Sequence, residues 1–248
     1  MKRFAWAFLL LAFAAQAHAS GVALRWGSCE GQSNRNFACD KSTGSELLVG
    51  SFDPPSGLSN FLGIEVVLRL SSANGAVPSW WQMYASGTCR RTSVSASFDM
   101  SDQFECDDAW SGQGGGGLGK WESDGTGINV WIVAAVPQPA IGPIASGRSY
   151  AAFKLIINHQ KSNGPGACGG CDTPMCIKLE SIRLTNRGRL VDANSHKYDD
   201  KYFDLTDGVS GMGGASQVAT WQGGTPNCAA AASKISTWSE LKARFKGK

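Results

Sequence analysis

The side chains that could do chemistry in this chain are thiols, indoles and a few carboxylates. Of 8 cysteines, Cys168, Cys171 and Cys176 crowd one connection, GACGGCDTPMC. Cys168-Gly-Gly-Cys171 has the spacing of a redox motif, which works by lowering a thiol pKa at a helix N-terminus in a βαβ setting. Cys176 with either Cys228 or His159 would complete four zinc ligands. Both readings yield to structural disulfides, because all the cysteines follow an export-type leader and their number is even. The expected pairs are local, Cys29 with Cys39 and Cys89 with Cys106, while Cys228 joins one of Cys168, Cys171 and Cys176.

Tryptophan is the most unusual feature of the composition. Of 9 tryptophans only Trp6 lies in the leader, and an exposed indole offers a sugar ring a flat apolar face with a polar edge. Trp80-Trp81 follows Pro78, and adjacent side chains in a strand face opposite sides, so one of the two is expected to point outward. Trp110 and Trp121 flank a glycine loop beside Asp107 and Asp108. Trp80, Trp81, Trp110 and Trp121 are therefore the candidate glycan-stacking residues, against the plain alternative that tryptophans of this kind fill a core.

Catalytic constellations are thin. Beyond the leader stand only His159 and His196, and no G-x-S-x-G elbow occurs. Glu65, Glu122 and Glu180 are the glutamates available for a glycosidase carboxylate pair. Gly114–Lys120 spells GGGGLGK, yet Trp121 stands where a phosphate-binding loop needs Ser or Thr, so the stretch reads as a flexible loop. Asp192, Asn194, Asp199, Asp200, Asp204 and Asp207 form an oxygen-rich stretch without EF-hand spacing. A solvated loop is the favoured reading, with calcium near Asp192–Asp207 the one cofactor candidate; no other cofactor and no metal is expected.

These residues need a frame. Lys2 and Arg3, the apolar Phe4–Ala15 and an Ala17-His18-Ala19 cleavage site read as a signal peptide over 1–19. No later run is long enough to span a membrane as a helix, so the expected location is secreted or periplasmic. The formal charge of +3 includes Lys2 and Arg3, and the near-neutral remainder makes no electrostatic case for nucleic acid or anionic lipid. About 230 residues remain, enough for one large β core.

Short apolar runs separated by Gly, Ser, Pro and Asn predict strands at Leu24–Trp26, Glu46–Phe52, Phe61–Leu70, Trp80–Tyr84, Thr92–Phe98, Ile128–Val136, Tyr150–Asn158, Cys176–Thr185 and Gln217–Trp221. In FLGIEVVLRL the apolar Leu62, Ile64, Val66, Leu68 and Leu70 face one way, Glu65 and Arg69 the other. INVWIVAAV is apolar throughout, as for a strand covered on both faces. The second half of Cys176–Thr185 changes phase, predicting a β-bulge near Ser181. The fold class is all-β: an antiparallel, disulfide-stapled β-sandwich of jelly-roll, Ig-like or cohesin-like type over 20–206. A Gly/Ala-rich linker with one short strand follows over 207–235. A short amphipathic helical tail over 236–248 carries the stripe Trp238, Leu241, Phe245 and is expected to dock on a partner or on the sandwich.

VPSWWQM…GTCR, GACGGCDTPMCI and ATWQGG…TWSELKARFK together resemble a group of uncharacterised exported proteins of environmental bacteria, a resemblance spanning the chain after the leader. Since the group carries no assigned activity, it implies no functional residue. Strand rhythm more loosely resembles cohesin and carbohydrate-binding β-sandwich modules. The expectation is an exported, non-enzymatic binding or surface/matrix module that takes a glycan or cell-surface component through exposed tryptophans. The alternative is a carbohydrate-active hydrolase on the same fold.

Overall fold

The computed structural model describes residues 21–72, 75–103, 105–206, 217–223 and 228. The leader over 1–19 and the tail over 236–248 lie outside the described residues. The strands are β1 Gly21–Trp26, β2 Asn34–Arg35, β3 Ser45–Asp53, β4 Phe61–Ser72, β5 Val94–Ser97, β6 Asp107–Asp108, β7 Gly115–Ser123, β8 Ile128–Ala135, β9 Tyr150–Asn158, β10 Met175–Asn186, β11 Leu190–Asp192, β12 Lys197–Tyr198, β13 Lys201–Leu205 and β14 Val218–Trp221. The smaller sheet runs β1-β3-β9-β5, with β6 parallel to β9. The larger runs β2-β14-β10-β4-β8-β7, with β13 sharing the β14 edge of β10. β11 and β12 form a separate small hairpin. The two large sheets make the expected disulfide-stapled all-β sandwich, antiparallel except where β6 joins β9 and β2 joins β14.

Alternation within β4 sets the core. Ile64, Val66, Leu68 and Leu70 are buried and meet Leu184, Ile182, Leu179 and Ile177 across the ladder, while Glu65 and Arg69 face outward. The bulge lies where the phase change predicts it. Leu179 pairs with Leu68 and Ser181 with Val67, leaving Glu180 as the extra residue. That insertion keeps Ile182 and Leu184 inward instead of turning them to solvent.

Four segments depart from the sequence reading. The glycine loop is the edge strand β7, because glycine lets the strand come close to β8: a Cβ on Gly116 would lie 2.1 Å from the Val133 carbonyl oxygen. Trp80-Trp81 sits in a 3₁₀ turn, Ser79–Trp81, instead of a strand. INVWIVAAV is covered on one face only, with Val133 45% exposed. The short strand inside the expected linker, β14, is held in the larger sheet between β2 and β10, and Trp221 is fully buried.

All 8 cysteines pair, as expected, but the local partners are wrong. The bridges are Cys29–Cys106, Cys39–Cys171, Cys89–Cys168 and Cys176–Cys228. Only the Cys228 expectation holds. A sandwich brings loops distant in sequence to the same end of the molecule, so three bridges close separations of 77, 132 and 79 residues. Both cysteines of the CxxC are thereby committed to different partners, which removes the redox pair and the zinc set.

Candidate functional site

The four nominated tryptophans do not make an exposed surface. Trp80, Trp81 and Trp110 are 0% exposed and Trp121 is 4% exposed. A 3₁₀ turn does not send successive side chains to opposite sides as a strand does, so Trp80 and Trp81 both enter the core. Their ring centroids are 5.1 Å apart and each lies about 5 Å from Trp221 (5.0 and 5.3 Å). Trp80 donates to Ser162 Oγ, Trp110 to the Ala152 carbonyl and Trp121 to the Trp81 carbonyl, at 2.8, 2.8 and 3.0 Å. Arg90 closes this cluster: its Cζ lies 3.3 Å from the Trp80 ring centroid, and it donates to the carbonyls of Trp80, Gln160 and Asn158. Burial pulls the guanidinium pKa down to about 9, which leaves it charged at neutral pH. Trp80 and Trp81 form a structural hub with Trp221, Trp110 packs apart from them against Phe61 and Phe98, and none presents a face to a ligand.

Two outward aromatic positions, Trp131 and Tyr202, belong to the larger sheet. Of the described tryptophans, Trp131 alone is not buried. It stands on the outer face of β8, paired with Val67 on one side and Lys120 on the other. The next row across the sheet reads Asp204, Arg183, Glu65, Val133, Gly117, and the one after it Tyr202, Thr185, Gly63, Ala135, Gly115. Val133 and Tyr202 are 45% and 56% exposed. Small residues, Thr185, Gly63, Ala135 and Gly115, keep the second of these rows low between Tyr202 and the edge strand.

Charges on this face are matched within the protein. Arg69 meets Asp124 at 2.6 Å, Lys178 meets Glu180 at 2.9 Å, Arg183 meets Asp204 at 2.6 Å and Lys120 meets Glu122 at 3.5 Å. The Arg69 guanidinium, chiefly, holds the Asp124 carboxyl well below the usual carboxylate range. Two acceptors are left over: Glu65 Oε2 and Glu180 Oε1 are shielded and have no hydrogen-bond donor in the protein. Glu65, Glu180 and Glu122, separate in sequence, thus share one face.

The oxygen-rich stretch is used internally. Asp192 accepts from the Asn194 and Ser195 amides and the Ser195 hydroxyl. Asp200 accepts from Arg187 and the Gly188 amide, and Asp204 from Arg183. Among the described residues, no three His, Cys, Asp or Glu side chains gather as a metal site. His159 also has its own role, buried with Nε2 3.0 Å from Glu46 Oε1.

No family model, curated protein or solved structure matches this chain. Trp131, Val133 and Tyr202 escaped the sequence reading for an identifiable reason. Alternation in β8 is present, Asn129, Trp131, Val133 and Ala135 against Ile128, Val130, Ile132 and Ala134, but both sets are mostly apolar and Asn129 alone marks the outer face as polar. Tyr202 lies in a stretch whose aspartates read as a loop, although it belongs to β13.

Proposed function

We propose that this chain is an exported binding module that holds a neutral polysaccharide on the outer face of its larger sheet. The observation that carries the reading is the outward placement of Trp131, alone among the described tryptophans in not being buried, on a face whose Lys and Arg side chains are paired. An indole takes the C–H face of a pyranose by stacking, with its polar edge turned to the ring hydroxyls. The paired charges of the face favour a neutral chain over a polyanion, whose binding needs unmatched Lys and Arg. Export is supported by the leader pattern and by the four disulfides. No helix among the described residues is long and apolar enough to cross a membrane.

The test is affinity electrophoresis through gels containing soluble glucans, mannans or xylans. Retardation by at least one polysaccharide, lost in Trp131→Ala with an unchanged melting temperature, is the expected result. No retardation by any of them, or full retardation of Trp131→Ala, overturns the proposal.

A hydrolase on the same face is the second reading, favoured by the placement of Glu65, Glu122 and Glu180 on that one face. Glycoside hydrolysis needs one carboxylic acid to protonate the leaving oxygen and a second carboxylate to act as nucleophile or base. Release of reducing ends, abolished by Glu65→Gln and by Glu180→Gln with binding retained, would establish it. Binding without release leaves the module non-enzymatic.

A further inference from the structure

We infer that the C-terminal stretch Trp238–Phe245 docks on the outer face of the larger sheet, over Trp131 and Val133, and that a polysaccharide has to displace it. The second step rests on the reading of that face as the polysaccharide site. A disulfide starts the tail on this face. Cys176 pairs with Ser71 of β4 and Thr220 of β14, and Lys178, two places on, pairs with Arg69. Two places beyond Arg69 stands Val67, the partner of Trp131. Positions two apart in a strand share a side, so Cys176 points outward and its bridge to Cys228 stands on the face that carries Trp131. Residues 229–248 lie outside the described residues.

The tether is long enough. Moving from the Ser71 row to the Val67 row covers about 13 Å along the strands, and stepping from β10 to β8 about 10 Å across them. Trp131 therefore lies about 17 Å from Cys176, and Val133, one row further, about 22 Å. Trp238 follows Cys228 by ten residues, which span up to about 33 Å when extended.

Tail and face are complementary in two respects. In a helix Trp238, Leu241 and Phe245 form one apolar stripe, and at 100° per residue Lys242 and Lys246 flank it on one side, Arg244 and Lys248 on the other. The face offers exposed Val133 and half-buried Trp131 to the stripe. Around them, three ion pairs turn their carboxylates to solvent and keep their cations closer to the sheet. Asp124 is 40% exposed against 8% for Arg69, Asp204 47% against 11% for Arg183, and Glu122 54% against 38% for Lys120. Lys178 and Glu180, both largely covered, are the exception. Asp204 lies on the β13 side of Trp131 and Glu122 on the β7 side, so cations on both flanks of the stripe meet carboxylates. A helix this short is marginal alone in water, which makes packing the condition for its formation. Tethering raises its local concentration to about the millimolar range, so even weak docking keeps the face substantially occupied.

The experiment is amide hydrogen exchange on the full oxidised chain, with a synthetic peptide of residues 229–248 as the unprotected reference. Amides of Leu241–Phe245 are expected to exchange severalfold more slowly in the protein than in the peptide. Val133→Lys, on the face, and Leu241→Asp, on the stripe, should each abolish that protection and leave the melting temperature unchanged. Exchange at the peptide's rate in wild type, or protection that survives Val133→Lys, overturns the docking. So does protection that appears only at concentrations where sedimentation shows a dimer, since the occupant is then the tail of a second copy. Exchange decides the docking whether or not a polysaccharide binds. For a polysaccharide that retards wild type in affinity electrophoresis, Leu241→Asp should bind about two- to tenfold more tightly, the gain set by the effective concentration of the tether. Unchanged affinity in Leu241→Asp overturns the displacement.

Discussion

Replacing Arg90 by methionine tests whether the tryptophan hub depends on a buried cation. Arg90 is 1% exposed, and its guanidinium stacks 3.3 Å from the Trp80 ring centroid. It donates to the Gln160 carbonyl at 2.9 Å, the Trp80 carbonyl at 2.8 Å and the Asn158 carbonyl. Methionine fills similar space but donates to none of them, and each buried acceptor left without its partner costs about 1–3 kcal/mol. Loss of a desolvated cation–π contact adds about 2 kcal/mol. Against this, methionine is spared the desolvation of the charge, which amounts to several kcal/mol. The balance is a net loss of about 3–5 kcal/mol, an estimate built on the three bonds and the stacking. For a domain of this size that lowers Tm by roughly 10–15 °C. The assay is thermal and guanidinium unfolding under non-reducing conditions, followed by tryptophan fluorescence. Arg90→Lys retains the charge but not the planar fork and should fall between the two. A loss below about 1 kcal/mol in Arg90→Met would show that the carbonyls find other partners, and would refute the reasoning.

Two further outcomes are expected. Because Arg69 depresses the Asp124 carboxyl in the folded state, its stabilisation is complete above the unfolded pKa near ~3.9 and is lost as pH falls through the folded value. The Asp124 side chain is 40% exposed, so Asp124→Asn should cost no more than about 1 kcal/mol at neutral pH and flatten the acid limb of stability against pH; an unchanged limb would contradict this. In β7, a Cβ at Gly116 meets the Val133 carbonyl at 2.1 Å, whereas one at Gly117 meets nothing within 4 Å. Gly116→Ala should therefore destabilise by about 1–3 kcal/mol while Gly117→Ala is neutral or mildly stabilising, and equal melting temperatures would contradict the edge-strand register.

The parts of the fold legible in the sequence share one property: a local pattern with contrasting residue types. β4 sets Glu65 and Arg69 on one face against Ile64, Val66, Leu68 and Leu70 on the other, so both its strand character and its buried face are legible directly. The bulge at Glu180 was legible because the apolar phase of β10 shifts by one residue. β7 and β8 lacked that contrast, β7 because glycine carries no side chain and β8 because its two faces are both largely apolar.

Burial of the tryptophans could not be read locally either. Outward placement at Trp80-Trp81 followed from assuming a strand, and a 3₁₀ turn at Ser79–Trp81 reverses the conclusion. The same holds for the disulfides. An even cysteine count behind a leader implies that all of them pair, but which pair depends on which loops the two sheets bring to one end.

From the chain alone came the all-β class, the two-faced strands and the use of cysteine as a staple, because each depends on residue type and short-range periodicity. Tertiary structure alone decided the partner of each cysteine, the burial of Trp80, Trp81 and Trp110, and the outward placement of Trp131 and Tyr202. It also brought Glu65, Glu122 and Glu180 onto one face. These are contacts between residues tens of positions apart, set by strand order and register, and no local pattern of side chains encodes them.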